Sequence, residues 1–368
     1  MITTRTASLP HFYTHVIGSL PRPQLVRDLW ERREEMPEER FANLLQEMII
    51  FAIRLQEQAG IDVVSDGEWS RFSYINAFLD PVKGCEKIRP YSHQGESKKA
   101  DVFVRRMEYP GPIFAGEAEF LVRNTDRVTK FALPSPFLLA TRFWHEDFST
   151  EAYPTRQHLM DHLAELLRLE AESIVEAGID VVQLDDPALT YFCDRALQTH
   201  GETHDERLKQ DWDIDRQIPE ALDSINQIVD GLEAEIHLHC CHSVYRRMAD
   251  VTGDYKPILP YLKNAKIDRV NLEFAYQDTG AADDLRLLPE NLGVGMGVLD
   301  IRNEELQTVE QIEAIIHEGT KYLAPERIAL NPDCGFSPGL TDPPSIDEAS
   351  EKLSRLAEAA RRVRASNN

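Results

Sequence analysis

The chain has 368 residues, of which 42% are hydrophobic, and a formal net charge of -23. Such an acidic chain repels polyanions, which argues against nucleic acid or an anionic membrane surface as partner. It has no apolar run of the roughly 18 residues that a membrane span requires and no signal-peptide core at its start. Its five scattered cysteines fit reduced thiols in a cytoplasmic protein better than a disulfide framework.

Short apolar runs between helical stretches predict parallel strands. In chain order they fall at 14–17, 62–65, 129–133, 180–184, 236–239, 269–272, 293–299 and 327–330. Two of them open on near copies, Ala59-Gly-Ile-Asp-Val-Val64 and Ala177-Gly-Ile-Asp-Val-Val182, each after a long helical pattern that the glycine ends. A last helix is expected at 345–363. Eight strand–helix units close most naturally into an α/β fold of the TIM type, a (β/α)8 barrel forming one catalytic domain over 1–368. An open doubly wound sheet lacks support, since no Gly-x-Gly-x-x-Gly turn is present. Two connections exceed plain loop length. These insertions, 80–128 after the second strand and 190–216 after the fourth, are expected on the active-site face as lids, the first with a hairpin near 101–105.

A barrel builds its active site at the C-terminal ends of its strands, and polar residues collect there strand by strand. They are Gly18 and Ser19, Asp66 and Glu68, Ser135, Asp185 and Asp186, His239 and Cys241, Glu273, Asp300 and Arg302, and Cys334. Alternation along a strand puts His239 and Cys241 on one face and Cys240 and His242 on the other; a bulge that substitutes Cys240 for Cys241 is the alternative. An imidazole, two thiols and a carboxylate on neighbouring strand ends form the ligand set of a tetrahedral zinc site. The plainer reading is a set of buried small residues.

Ligands from three strands, one of them a carboxylate, suit a catalytic zinc. Zinc holds a thiol as thiolate, a nucleophile for alkyl transfer; hydrolysis is the competing use. One of Asp185 and Asp186 caps the following helix, and Asp185, first off the strand, is the functional candidate. Arg302 either binds an anionic group or pairs with a carboxylate. His200 and His204 read as solvated loop, and Cys85 and Cys193 as structural.

Seven segments carry a family likeness: His15-Val-Ile-Gly-Ser-Leu-Pro21, Val64-Ser-Asp-Gly-Glu-Trp69, Val182-Gln-Leu-Asp-Asp-Pro-Ala-Leu189, His239-Cys-Cys-His-Ser243, Asn271-Leu-Glu273, Gly297-Val-Leu-Asp300 and Asn331-Pro-Asp-Cys-Gly335. In these the chain resembles the catalytic C-terminal barrel of the cobalamin-independent methionine synthases. The resemblance implies methionine biosynthesis, with a methyl group passing from methyltetrahydrofolate to homocysteine bound on Zn2+. It implies zinc ligands at His239, Cys241, Glu273 and Cys334. Ile17 and Ser19 would hold the amino-acid end of homocysteine, with Glu68 and Asp185 facing its ammonium.

The departures cluster on the donor side. Where the family has Asp-Ile-His, its His donating a proton to the leaving folate, this chain has Asp300-Ile301-Arg302, and arginine is a poor acid. Asp300 and Arg302 are nonetheless the catalytic candidates. The family's Gly-Pro-Val-Thr and folate-stacking Trp are replaced by Pro134-Ser-Pro-Phe-Leu138, with Trp144 displaced, and its Asp-Glu-Pro by Asp185-Asp186-Pro187. The expected donor is therefore open between methyltetrahydrofolate, a methylated corrinoid and another methyl compound. A transferase of the epoxyalkane–coenzyme M type and a non-catalytic zinc- or thiol-binding paralogue are the alternatives.

Overall fold

In the computed structural model, which describes residues 5–93, 96–200, 212–244, 247–337 and 343–366, the barrel strands follow one another around the sheet in chain order. β1 is Val63–Val64, and a hairpin of β2 (Cys85–His93) and β3 (Glu96–Phe103) interrupts the alternation. Then come β4 (Val128–Pro134), β5 (Val181–Asp185), β6 (Glu235–His239), β7 (Arg269–Glu273), β8 (Gly293–Leu299) and β9 (Ile328–Pro332). The sheet runs β1-β4-β5-β6-β7-β8-β9 with every neighbouring pair parallel. Residues 14 and 15 close it: Thr14 bridges to Leu330 on β9 and His15 to Val63 on β1. The α/β barrel architecture expected from eight apolar runs is therefore the one observed.

The expected first strand shrinks to this bridging pair, and the second to Val63–Val64, where Ser65 turns the chain out of the sheet. Ser65 leaves the sheet with its N–H on Gln56 Oε1 (2.9 Å) and its hydroxyl donating to the Gly18 carbonyl (2.9 Å). The closing segment is held from outside by the last helix, Ile346–Ser366, whose Arg364 donates to the carbonyls of His11 (3.0 Å) and Phe12 (2.9 Å).

The long helices form for the reasons their sequences give. Glu38–Ala59 buries Phe41, Leu45, Ile49, Ala52 and Ile53 at helical spacing and stops at Gly60, whose φ of 88° only glycine adopts without cost. Arg156–Glu176 starts under the Thr155 hydroxyl, which accepts from the His158 N–H, and packs along Ile214–Val229. Each aliphatic side chain so buried contributes on the order of 1.5–3 kcal/mol. No described helix is long and apolar enough to cross a membrane.

The expected hairpin is present, longer than its 101–105 cue. Its β3 strand packs on the short helix Pro136–Phe143 that follows β4. Of the 190–216 stretch, the 3-10 turn Pro187–Phe192 and the helix Arg195–His200 frame the start, while 201–211, including His204, lie outside the described residues.

Candidate active site

The parallel register delivers the site side by side. Asp185, last on β5, is the register partner of His239, last on β6. The His239 Nδ1–H donates to Asp185 Oδ1 at 2.9 Å, and the same oxygen accepts from Gln183 Nε2 at 2.7 Å. That bond fixes the tautomer and leaves His239 Nε2 buried with no partner. Nε2 is thus the atom that could meet a metal, in the arrangement by which carboxylates orient metal-binding histidines.

Two residues on, Cys241 Sγ accepts from Cys334 Sγ at 3.4 Å, bringing together the ends of β6 and β9. His239, Cys241 and Cys334 form a buried group whose ligand atoms all lie within 4.8 Å of one another. The bond from Cys334, with His239 beside it, pulls the Cys241 thiol well below its usual range. Burial opposes charge on His239, but Cys241 and Asp185 outweigh it and raise its pKa to about 10.

Glu273 ends β7 and lies outside that close group. Its Oε1 accepts from Arg302 Nη2 (2.9 Å) and from the His242 N–H (3.0 Å). Its Oε2 is buried without a hydrogen bond, 3.5 Å from His242 Nδ1. Glu273 repeats the pattern of His239, with one atom held and its twin left over. Burial would raise its pKa, but Arg302 and His242 reverse this and bring it to about 2, keeping it ionised. Both leftover atoms and both thiols are of the kinds a zinc-type site uses, so the residues present fit a metal.

Arg302 is committed to this corner. Its guanidinium pairs with Glu273, lies 3.8 Å from Asp333, bonds the Ser243 carbonyl and stacks 4.8 Å over the Tyr276 ring, fully buried. Of the two readings of Arg302, the geometry supplies pairing with a carboxylate. The Asp300 carboxylate is taken up by its own turn, accepting from the N–H groups of Arg302 (2.7 Å) and Asn303 (3.1 Å).

Cys240 is buried and stays out of the group formed by His239, Cys241 and Cys334, as alternation predicts. His242 does not follow the alternation, because β6 ends at His239 and period two ends with it. Its backbone and ring both reach Glu273. Tyr255, which the sequence did not flag, donates to the Cys240 carbonyl (2.9 Å) and accepts from the Glu273 N–H (3.0 Å), tying β6 to β7.

Across the mouth, Glu68 sits at φ 56°, a left-handed conformation that is strained for a glutamate. Its carboxylate presses so close to Gly18 that a Cβ there would strike Oε1. Burial raises its pKa to about 7 against the pull of Arg71. Ile17 and Ser19 flank the same glycine; the Ile17 carbonyl accepts from Gln183 Nε2 (2.9 Å) and the Ser19 hydroxyl from the Ser337 N–H (3.2 Å). Trp144 is turned away, its indole N–H on the Tyr153 carbonyl (3.0 Å).

Residues 12–362 match the family model described as Cobalamin-independent synthase, Catalytic domain. The chain belongs to the cobalamin-independent methionine synthase family. It is accordingly a methyltransferase by family. A methionine synthase of Pyrococcus furiosus is 31% identical over 363 residues, spanning 97% of this chain and 94% of that protein. One from Saccharolobus solfataricus is 27% identical over 336 residues, 90% of each chain. Among solved structures, a B12-independent methionine synthase from Shewanella sp. W3-18-1 in complex with selenomethionine superposes with a TM-score of 0.79 at 22% identity, covering 97% of this chain and 99% of that one. At that identity the superposition speaks for the fold, and it agrees with the barrel described above.

Proposed function

We propose that this family member methylates the sulfur of homocysteine, with a zinc ion carried by His239, Cys241, Glu273 and Cys334. The observation that carries the reading is the leftover His239 Nε2 grouped with the Cys241 and Cys334 thiols, with the leftover Glu273 carboxylate within electrostatic reach of both. Unpartnered polar atoms are costly in an interior, and a metal in that corner would satisfy both. When bound, zinc would keep an incoming thiol as thiolate near neutral pH, which is the form that accepts a methyl group.

The chain's own groups do the rest. Asp185 holds the His239 ring in one tautomer. Arg302 and the His242 N–H fix Glu273, so Arg302 acts as a positioning group and not as a proton donor. Glu68 and Asp185 supply negative charge for the substrate ammonium, and Ile17 and Ser19 line the place for its carboxylate.

Zinc content and zinc K-edge absorption, recorded with and without homocysteine, test the proposal. The expected result is about one zinc per chain, with two sulfur neighbours that become three when homocysteine is added. Zinc whose shell ignores homocysteine removes the substrate assignment, and protein purified without chelator that holds no zinc removes the metal assignment.

A further inference from the structure

The donor half of the site is where this chain departs from its family, and the structure places an uncommitted cation there. The helix Pro136–Phe143 begins at the end of β4 with the Ser135 hydroxyl accepting from Leu138 N–H (3.0 Å), and its last turn carries Arg142. The half-buried Arg142 donates from Nη2 to the Tyr191 hydroxyl at 3.3 Å. Tyr191 is itself 1% exposed and stacked edge-on against Trp212.

Tyr74, from the loop after β1, is half-buried and within electrostatic reach of Arg142 and also of Asp185, Cys241 and Glu68. Thr190, the residue before Tyr191, donates its hydroxyl to the Cys241 carbonyl at 2.8 Å, so Arg142 on Tyr191 stands one residue outward from the sulfur-binding corner. Asp250, from the loop after β6, is the carboxylate within its electrostatic reach, and no carboxylate lies within ion-pairing distance of it among the described residues.

The other cations near the mouth are engaged. Arg302 is held by Glu273 and Asp333. Arg71 is held by Glu117 and the Ala132 carbonyl, between two phenyl rings. Arg22 is bonded to the carbonyls of Glu68 and Arg71. Lys130 lies deeper, on His15 and Gln183. In a chain of net charge -23, a guanidinium at the mouth with no ion pair among the described residues offers an anion a charge-assisted hydrogen bond.

The geometry points to Arg142, braced by Tyr191, as the subsite for an oxyanion of the methyl donor. This rests on the methyl-transfer reading above, in which the thiol substrate is already served by Ile17, Ser19, Glu68 and Asp185. The anion is a carboxylate or a phosphate; the glutamate tail of a methylated folate and the phosphodiester of a methylated corrinoid are its two sources.

The test is equilibrium binding of methyltetrahydrofolate triglutamate and of methylcobalamin to the zinc-loaded protein, by calorimetry, for wild type, Arg142→Met and Arg142→Lys. A parallel titration uses homocysteine. Wild type should bind one of the two donors. Arg142→Met should weaken that donor about tenfold or more, the value of one charge-assisted hydrogen bond, and Arg142→Lys should restore part of the loss. Homocysteine binding should not change. The donor that responds identifies the source of the anion. Equal donor binding by Arg142→Met, failure of wild type to bind either donor, or an equal loss of homocysteine binding overturns the subsite. Failure of wild type to bind homocysteine while Arg142 still governs donor binding would overturn the thiol assignment and leave the subsite standing. Arg142→Lys keeps the charge and guards against a variant that merely misfolds.

Discussion

His237 and His239 are two residues apart on β6, on the same face, and both are buried. Their environments are opposite. His237 has Nε2 on Glu235 Oε1 at 3.0 Å and Nδ1 3.4 Å from Asn271 Nδ2, and Glu235 is itself secured by the Tyr13 hydroxyl at 2.8 Å. Burial keeps His237 neutral, lowering its pKa to about 4 despite Glu235. His239 has one nitrogen held and one left over. The layer below the mouth uses its histidine as structure, and the layer at the mouth leaves one ring nitrogen without a partner. The two histidines are told apart only by counting partners atom by atom, since residue type and burial are the same in both layers.

The sharpest break of this comparison is metal content. His239→Ala or Cys334→Ala should take zinc from about one per chain to near zero after dialysis, while His237→Ala should keep its zinc and lose thermal stability. Metal lost from the His237 variant alone would invert the roles of the two layers. Next in size is Arg302→Met, which strands the Glu273 carboxylate in the interior. Urea unfolding of the metal-free protein should show a loss of about 3–5 kcal/mol, much of it returned by adding Glu273→Gln. Asp185→Asn removes the group that orients His239 and should weaken zinc roughly 10–100-fold in a chelator competition. A neutral result there would show that the register partner of His239 is not its support.

Two smaller effects follow from charge. Glu68→Gln should weaken binding of methionine, which has no thiol proton to lose, by about tenfold. In wild type that binding should strengthen as pH rises through about 7, where Glu68 ionises against the nearby Asp185 and Asp66 and with the help of Arg71 and Arg22. The variant should flatten the profile. Stability runs the other way. Glu68 and Asp186 are both raised by burial to about 7, so between the unfolded carboxylate range and pH 7 the folded state holds more protons than the unfolded one. Stability should therefore fall as pH rises across that window and level off above it, which denaturation at a series of pH values would reveal.

The barrel could be read from the sequence because its strands are apolar runs of ordinary length between periodic helices, and β4 to β9 fall within two residues of the expected runs. The closing segment at 14–15 is too short to be told from a loop, and its strand character comes from partners on β9 and β1 that pattern cannot show. Within the site, residue type and strand parity nominated His239, Cys241, Glu273 and Cys334. They also set His242 aside, because parity was extended past the point where the chain leaves the sheet. Nothing local to Arg302 distinguishes an anion binder from the partner of Glu273, since the carboxylate that decides it is on another strand. Arg142 and Tyr255 carried no signal, because each matters only through loops that the fold brings together.

The staple of Arg364 on the carbonyls of His11 and Phe12 has a consequence for synthesis on the ribosome. The first bridging residues must wait for β9 and for the last helix, more than three hundred residues later, before the sheet can close. Until then the nascent chain presents two unpaired strand edges, the kind of surface that recruits wrong partners. Closure of this barrel is thus a late event that depends on the final turns of its last helix, and chains cut short of residue 364 should leave the ribosome open at the seam and become clients of chaperones.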